Sequence, residues 1–264
     1  MNTKNTTDHI VNWLLKYASS AGIKGFVVGV SGGIDSAVTA SLCAKTGLPL
    51  LCVQMPIHQA ANQVKRGVEL IELLERKFDL VSSLTVDLTP VFEVFKNEIP
   101  KINIKAKDNL SLANSRARLR MTTLFHLAGI NNYIVAGTGN KVEDFGVGFF
   151  TKYGDGGVDI SPIADLMKSE VYELGVFLEV PTSILKAAPT DGLFGDNRTD
   201  EDQLGASYDE FEWAMAQVEK GKSASDFSKR EKEVFELYVR LHRANLHKMN
   251  PIPVCEIPDS IKNI

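Results

Sequence analysis

The residues best suited to a charged ligand lie in Val27-Val28-Gly29-Val30-Ser31-Gly32-Gly33-Ile34-Asp35-Ser36. Three β-branched residues give way to small turn-formers, after which Ile34, Ala37, Val38, Ser41 and Leu42 recur at helical spacing. A strand that breaks through glycine into a helix start turns free backbone N–H groups toward one point, where a phosphate is favoured. The lysine that ends a Walker-type loop is missing, and a carboxylate, Asp35, stands in the loop instead. A carboxylate beside phosphates is repulsive unless a divalent cation separates them. The pattern therefore predicts a nucleotide phosphate on backbone amides, with Mg²⁺ bridging it to Asp35. The plainer reading is a glycine turn with Asp35 and Ser36 as helix-capping groups.

A second carboxylate, Glu143, follows the loop Gly137-Thr138-Gly139-Asn140-Lys141-Val142. With Asp35 it offers Mg²⁺ a partial oxygen shell completed by water and phosphate, and the adjacent Asp144 is its rival. Thr138 supplies a hydroxyl or a backbone contact for the nucleotide. Arg116, Arg118 and Arg120 share one helix, with Arg116 and Arg120 on one face and Arg118 roughly opposite. Arg118 shares a partly apolar stripe with Ser111, Asn114 and Phe125, a setting in which a guanidinium takes a specific anionic partner. Phe149-Phe150-Thr151-Lys152-Tyr153-Gly154-Asp155-Gly156-Gly157, followed by Asp159, is either an ordinary hairpin or a recognition loop for a flat, charged ligand. Lys168 begins a helix, against the preference of the dipole, which points weakly to an anionic partner. Thr190-Asp191-Gly192 suits an Asx-type turn, and His247-Lys248 suits a basic helix C-terminus with no ligand.

The elements that must carry these groups alternate. Helical spacing opens the chain and ends near Gly22. Strands are predicted over 26–30, 50–55, 80–86 and 133–136, separated by helical patterns at 34–45, 59–77, 89–97 and 110–127. Residues 103–108 read as a polar connection. Four alternations predict a doubly wound parallel sheet, Rossmann-like, with ligands beyond the carboxyl ends of its strands. Both Ser31–Ser36 and Gly137–Glu143 fall at such ends. Beyond about residue 145 the alternation stops, and helices are predicted at 168–178, 182–186, 209–218 and 228–248, with a polar loop over 190–203.

Composition narrows the partners. The chain has 264 residues, 44% of them hydrophobic and 23% charged, enough for one large α/β domain. A net charge of −4 supplies no field for nucleic acid, so an anionic ligand must meet locally placed Lys and Arg. Cys43, Cys52 and Cys255 fall in no metal or redox spacing, and buried thiols suit a reducing compartment. The polar start of the chain has no signal-peptide core, and no apolar run reaches the roughly 18 residues of a membrane span. These features predict a cytoplasmic protein with no membrane partner.

The string Ser-Gly-Gly-Ile-Asp-Ser at 31–36 resembles the PP-loop ATP pyrophosphatases, which cleave ATP to AMP and pyrophosphate while adenylating a substrate. With Arg-Ala-Arg-Leu-Arg-Met (116–121), Gly-Phe-Phe-Thr-Lys-Tyr-Gly-Asp-Gly-Gly (148–157) and His247-Lys248, the chain resembles the ammonia-dependent NAD synthetases from about residue 26 to 248. The resemblance implies one synthetase domain over 1–264, with a core sheet in about 22–180 and a helical part in 181–264. It implies that Gly29, Val30, Ser31, Gly32, Gly33, Ile34, Asp35 and Ser36 hold ATP, joined by Thr138, Lys168 and Thr190. Asp35 and Glu143 would bind Mg²⁺, and Asp35 and Lys168 would carry the catalysis. Arg118, Lys152, Asp159, His247 and Lys248 would contact deamido-NAD⁺. The expected reaction amidates deamido-NAD⁺ with ammonia through an acyl-adenylate, giving NAD⁺, AMP and pyrophosphate. Family members are homodimers, which predicts an interface formed by residues after 108. A glutaminase domain is not expected, because the cysteines lie in no nucleophile context. The alternatives are another PP-loop enzyme acting on a nucleobase or tRNA, and a module that senses ATP without turnover.

Overall fold

The computed structural model describes residues 1–100, 105–190 and 199–262, with only the backbone described at 105–108. Strands β1 (Gly25–Gly29), β2 (Leu50–Gln54), β3 (Val81–Thr85) and β4 (Tyr133–Val135) form a parallel sheet in the order β3-β2-β1-β4. The register pairs Phe26 with Leu50 and Ile134, and Val28 with Cys52. Side chains alternate across the sheet as strand geometry requires. Phe26, Val28, Leu50 and Cys52 enter one buried cluster, while Val27, Val53 and Val135 enter another.

Helices α1 (Thr3–Ala21), α2 (Ile34–Ala44), α3 (Ala61–Lys77) and α6 (Lys168–Phe177) contribute to the first cluster. Helices α4 (Thr89–Glu98) and α5 (Lys105–Asn131) contribute to the second. The sheet is therefore covered on both faces, which is why β1 is apolar at successive positions. A third cluster joins a π-helical turn at Val142–Val147 to α8 (Asp200–Leu204), α9 (Tyr208–Glu219) and α10 (Lys229–Met249). Short helices α7 (Thr182–Leu185) and α11 (Asp259–Lys262) complete the described helical elements of four or more residues.

Four sequence expectations change. The predicted polar connection is helical from Lys105 onward, while residues 101–104 lie outside the described part. The helical pattern predicted over 110–127 continues as α5 through Gly129 to Asn131, before Asn132 turns at φ 55°. The predicted loop over 190–203 ends in a helix from Asp200, capped by Thr199 Oγ1 accepting from the Asp202 N–H at 3.1 Å; residues 191–198 are outside the described part. Beyond β4 the sheet gains a single parallel bridge, Ala136 to Ile160, which no run of β-formers announces. No helix among the described residues is long and apolar enough to cross a membrane.

Candidate active site

The loop after β1 owes its shape to glycine and serine. Gly32 has φ +84°, and a Cβ there would lie 2.4 Å from the Gln63 carbonyl oxygen of α3. Only glycine allows both the left-handed backbone and that approach. The Arg66 Nε donates to the Gly32 carbonyl at 3.0 Å, fixing the loop on α3. Ser31 Oγ accepts from the Gly33 N–H at 3.2 Å, and Ser36 Oγ donates to the Gly33 carbonyl at 3.0 Å. The two hydroxyls also meet at 3.1 Å. Gly33 caps α2 with its backbone alone, so neither Asp35 nor Ser36 is the N-cap residue. The helix start lies at the mouth of a cleft of about 270 Å³, on the carboxyl side of the strands.

Asp35, on the first turn of α2, lies beside Lys168 at the start of α6 and Glu143 in the π-helical turn. Lys168 Nζ is 2.6 Å from Asp35 Oδ2 and 3.1 Å from Glu143 Oε1. Lys168 is 3% exposed. Burial works against its charge, but the two carboxylates more than compensate and hold its pKa above the ordinary value. Burial pushes the Glu143 carboxyl upward, while Lys168 pulls it back. The other oxygen of Asp35 accepts from Asn140 Nδ2 at 2.9 Å, and Asn140 Oδ1 accepts from the Glu143 N–H at 3.1 Å. Thus one buried amide ties the Asp35 carboxylate to the backbone of Glu143.

The donor set suits Mg²⁺. Two carboxylates from different elements converge on one cation, here the lysine ammonium, and Mg²⁺ characteristically takes one or two carboxylates with phosphate oxygens and water. Among the described residues there is no larger His, Cys, Asp and Glu cluster for a metal. Geometry favours Glu143 over Asp144 as the partner of Asp35. The Asp144 carboxylate is packed against Gly139, where an added Cβ would meet its oxygens at 2.2 Å. Burial, with Glu143, Asp155 and Asp35 nearby, pushes the Asp144 pKa up to about 8.

The residues proposed from sequence divide into two groups and an outlier. Gly29, Val30, Ser31, Asp35, Ser36, Thr138, Glu143 and Thr190 line the cleft. Lys168 lies in contact with two of these. Gly32 and Gly33 form the loop behind them, and Ile34 is 3% exposed in the core against Gly175. A second group gathers around the Phe149–Gly157 segment. Arg118 Nη2 donates to the Lys152 carbonyl at 3.3 Å, and Lys152 Nζ donates to the His247 carbonyl at 2.6 Å. Lys248 Nζ donates to the Gly148 and Phe150 carbonyls at 2.8 and 2.9 Å. These basic residues thus shape the segment in addition to any part in binding. Asp159 stands apart, its Oδ2 accepting from the Val135 N–H at 2.8 Å beside a shallower cleft containing Trp13, Tyr17 and Phe145.

Three residues join the site with no role predicted for them from the sequence: Asn140, Tyr208 and Arg120. Arg120 donates to the Met55 carbonyl at 3.0 Å and to Gln59 Oε1 at 2.9 Å, drawing the segment after β2 to the cleft. The triple-arginine string is its signal in the sequence. Asn140 and Tyr208 meet the site only through the tertiary fold, and nothing in their flanks announces them.

Comparison with known proteins follows the same lines. The family model described as NAD synthase matches residues 6–252. An NH(3)-dependent NAD(+) synthetase of Mesoplasma florum is 41% identical, with the match spanning 82% of this chain and 86% of the relative. A protein of the same name from Alkaliphilus oremlandii is 38% identical over 96% of this chain and 98% of its own. The solved structure of NMN synthetase from Francisella tularensis is 34% identical, with a TM-score of 0.84 over 97% of this chain and 100% of that one. The glycine-lined loop after β1 and the Asp35–Lys168–Glu143 cluster therefore occur in a chain that belongs to the NAD synthase family.

Proposed function

We propose that the protein is an ammonia-dependent NAD⁺ synthetase that amidates deamido-NAD⁺ at the expense of ATP, releasing NAD⁺, AMP and pyrophosphate. The observation that carries this reading is the convergence of the Ser31–Ser36 loop, Asp35, Glu143 and Thr138 on one cleft, in a chain of that family. The names of the curated relatives support the substrate. The expected setting is the cytoplasm and the expected assembly a homodimer.

The chemistry suits the residues. A carboxylate is a poor electrophile, so an oxygen of the nicotinate carboxylate first attacks the α-phosphorus of ATP and pyrophosphate leaves. Backbone N–H groups of the Ser31–Ser36 loop receive the departing pyrophosphate. Asp35 and Glu143 would hold Mg²⁺, which supplies charge neutralisation on the phosphate oxygens. Lys168 orients the two carboxylates and adds positive charge beside the reacting phosphates. Ammonia then attacks the acyl carbon; AMP leaves with one former carboxylate oxygen, and a proton is lost from nitrogen. No side chain forms a covalent bond, so catalysis rests on positioning and electrostatics. Arg118, Lys152, Asp159, His247 and Lys248 are assigned to the acid substrate, and Thr138 and Thr190 to ATP.

The likeness to the Francisella NMN synthetase favours a second reading, in which the same activation acts on a nicotinate mononucleotide. One experiment addresses both. The two acids, labelled with ¹⁸O in the carboxylate, are each supplied with ATP, Mg²⁺ and ammonium. Label in AMP is the expected signature of the acyl-adenylate, and AMP free of label overturns it. Faster turnover of the mononucleotide selects the second reading.

A further inference from the structure

Tyr208, the first residue of α9, reaches the carboxylate cluster from the C-terminal helical layer. Its hydroxyl lies 2.6 Å from Glu143 Oε1 and 3.4 Å from Asp200 Oδ2. A phenol has one proton, and the shorter contact takes it, so Tyr208 donates to Glu143. The ring stacks beneath the Lys168 ammonium, 4.7 Å from Nζ to the ring centre. The residue is 5% exposed. Its backbone N–H donates to Glu201 Oε1 at 2.9 Å, and Ser207 caps α9 through a reciprocal pair with Glu210. Tyr208 is thus held at both ends by groups of the protein itself.

We propose that Tyr208 is a positioning residue for Glu143, and through it for the divalent cation. This rests on the reading above that Glu143 helps to hold Mg²⁺. Lys168 and Tyr208 both bind Oε1 of Glu143, which fixes the carboxylate plane and leaves Oε2 for a cation. A carboxylate free to rotate in the cleft loses conformational freedom when a metal binds; one already fixed does not. Because Asp200 and Glu201 of α8 contact the same tyrosine, the brace also joins α8 to the metal site.

The test substitutes Tyr208→Phe in the full chain, keeping the ring beneath Lys168 and deleting only the O–H. Mn²⁺ binding is read by electron paramagnetic resonance in the presence of a non-hydrolysable ATP analogue, with the melting temperature measured alongside. Loss of such a hydrogen-bonded support is expected to weaken Mn²⁺ binding about 10-fold or more. Saturating metal should restore most of kcat. Unchanged Mn²⁺ affinity in Tyr208→Phe, with binding lost in Glu143→Gln, overturns the role of Tyr208 while leaving Glu143 as a ligand. Wild-type affinity in Glu143→Gln overturns the metal assignment itself. If Tyr208→Phe does not fold, the wild-type chain labelled with 3-fluorotyrosine gives the answer by ¹⁹F resonance. Adding Mg²⁺ and the analogue should shift the signal of a buried tyrosine, because the cation draws on the carboxylate that accepts its proton. No shift in any tyrosine signal overturns the proposal.

Discussion

Replacing Lys168 by methionine separates the charge of the ammonium from the packing of its stem. The ammonium lies 2.6 Å from Asp35 and 3.1 Å from Glu143, whose side chains are 18% and 16% exposed. Without it, two shielded carboxylates face each other, held by Asn140 and Tyr208 but with no compensating charge. Breaking a buried ion pair from one side costs about 3–5 kcal/mol. In a chain of this size that corresponds to a melting temperature lower by on the order of 10 °C. The sign of the pH dependence follows from Glu143, whose carboxyl burial already raises and Lys168 lowers. With Lys168 gone, the folded-state pKa rises further above the unfolded value. The penalty then builds as pH rises from the ordinary carboxylate range toward that folded pKa, so the deficit should be larger at neutral than at mildly acidic pH. Mg²⁺ should restore part of the loss by taking the place of the ammonium. Urea denaturation of both proteins across pH, with and without Mg²⁺, measures all three effects. A loss below about 1 kcal/mol, as for an exposed pair, or a loss indifferent to pH and Mg²⁺, would refute the reasoning.

Three further expectations concern other parts of the account. Gly32→Ala places a Cβ against the Gln63 carbonyl at a positive φ, so it should destabilise by about 1–3 kcal/mol and abolish binding of a fluorescent ATP analogue; native affinity would contradict the loop assignment. Lys248→Met removes both bonds to the Gly148 and Phe150 carbonyls, so it should raise the KM for the acid substrate several-fold more than that for ATP. Equal changes in both KM values would show that the two residue groups are not functionally separate. Glu210→Gln weakens the contact with Arg230 and the cap of α9. The Arg230 hydrogen bond, with the Ser207 N-cap, holds the Glu210 carboxyl at about 2, so its contribution is present above the ordinary glutamate pKa and lost as pH falls through about 2. Because Arg230 is half exposed, chemical denaturation at neutral pH should show only a small loss of stability, and a loss as large as that of Lys168→Met would contradict this reading.

Much of the fold is legible in the sequence because both faces of the sheet are covered. Val27-Val28 and Leu50-Leu51-Cys52-Val53 have no reason to be apolar at consecutive positions except burial on both sides. The Ser31–Ser36 loop is legible too, since its glycine at position 32 is required by a close approach of α3. Other features depend on partners distant in sequence. The start of α5 is rich in polar residues, so its apolar periodicity appears only several residues later in the sequence. Ile160 joins the sheet through one bridge, too short to form a pattern. Asn140 reaches Asp35 across 105 residues and Tyr208 reaches Glu143 across 65, and such contacts have no local signature. Asp159 is a mixed case: its place beside a glycine-rich segment is plain in the sequence, while the bond of its side chain to the Val135 amide is not.

The most direct measurement of the central claim is product stoichiometry with ¹⁵N-ammonium, ATP, Mg²⁺ and deamido-NAD⁺. The account predicts AMP, pyrophosphate and ¹⁵N-labelled NAD⁺ in equal amounts, with none of the three formed when the acid substrate is omitted. ATP bound without pyrophosphate release, or pyrophosphate released with no labelled NAD⁺, would contradict it.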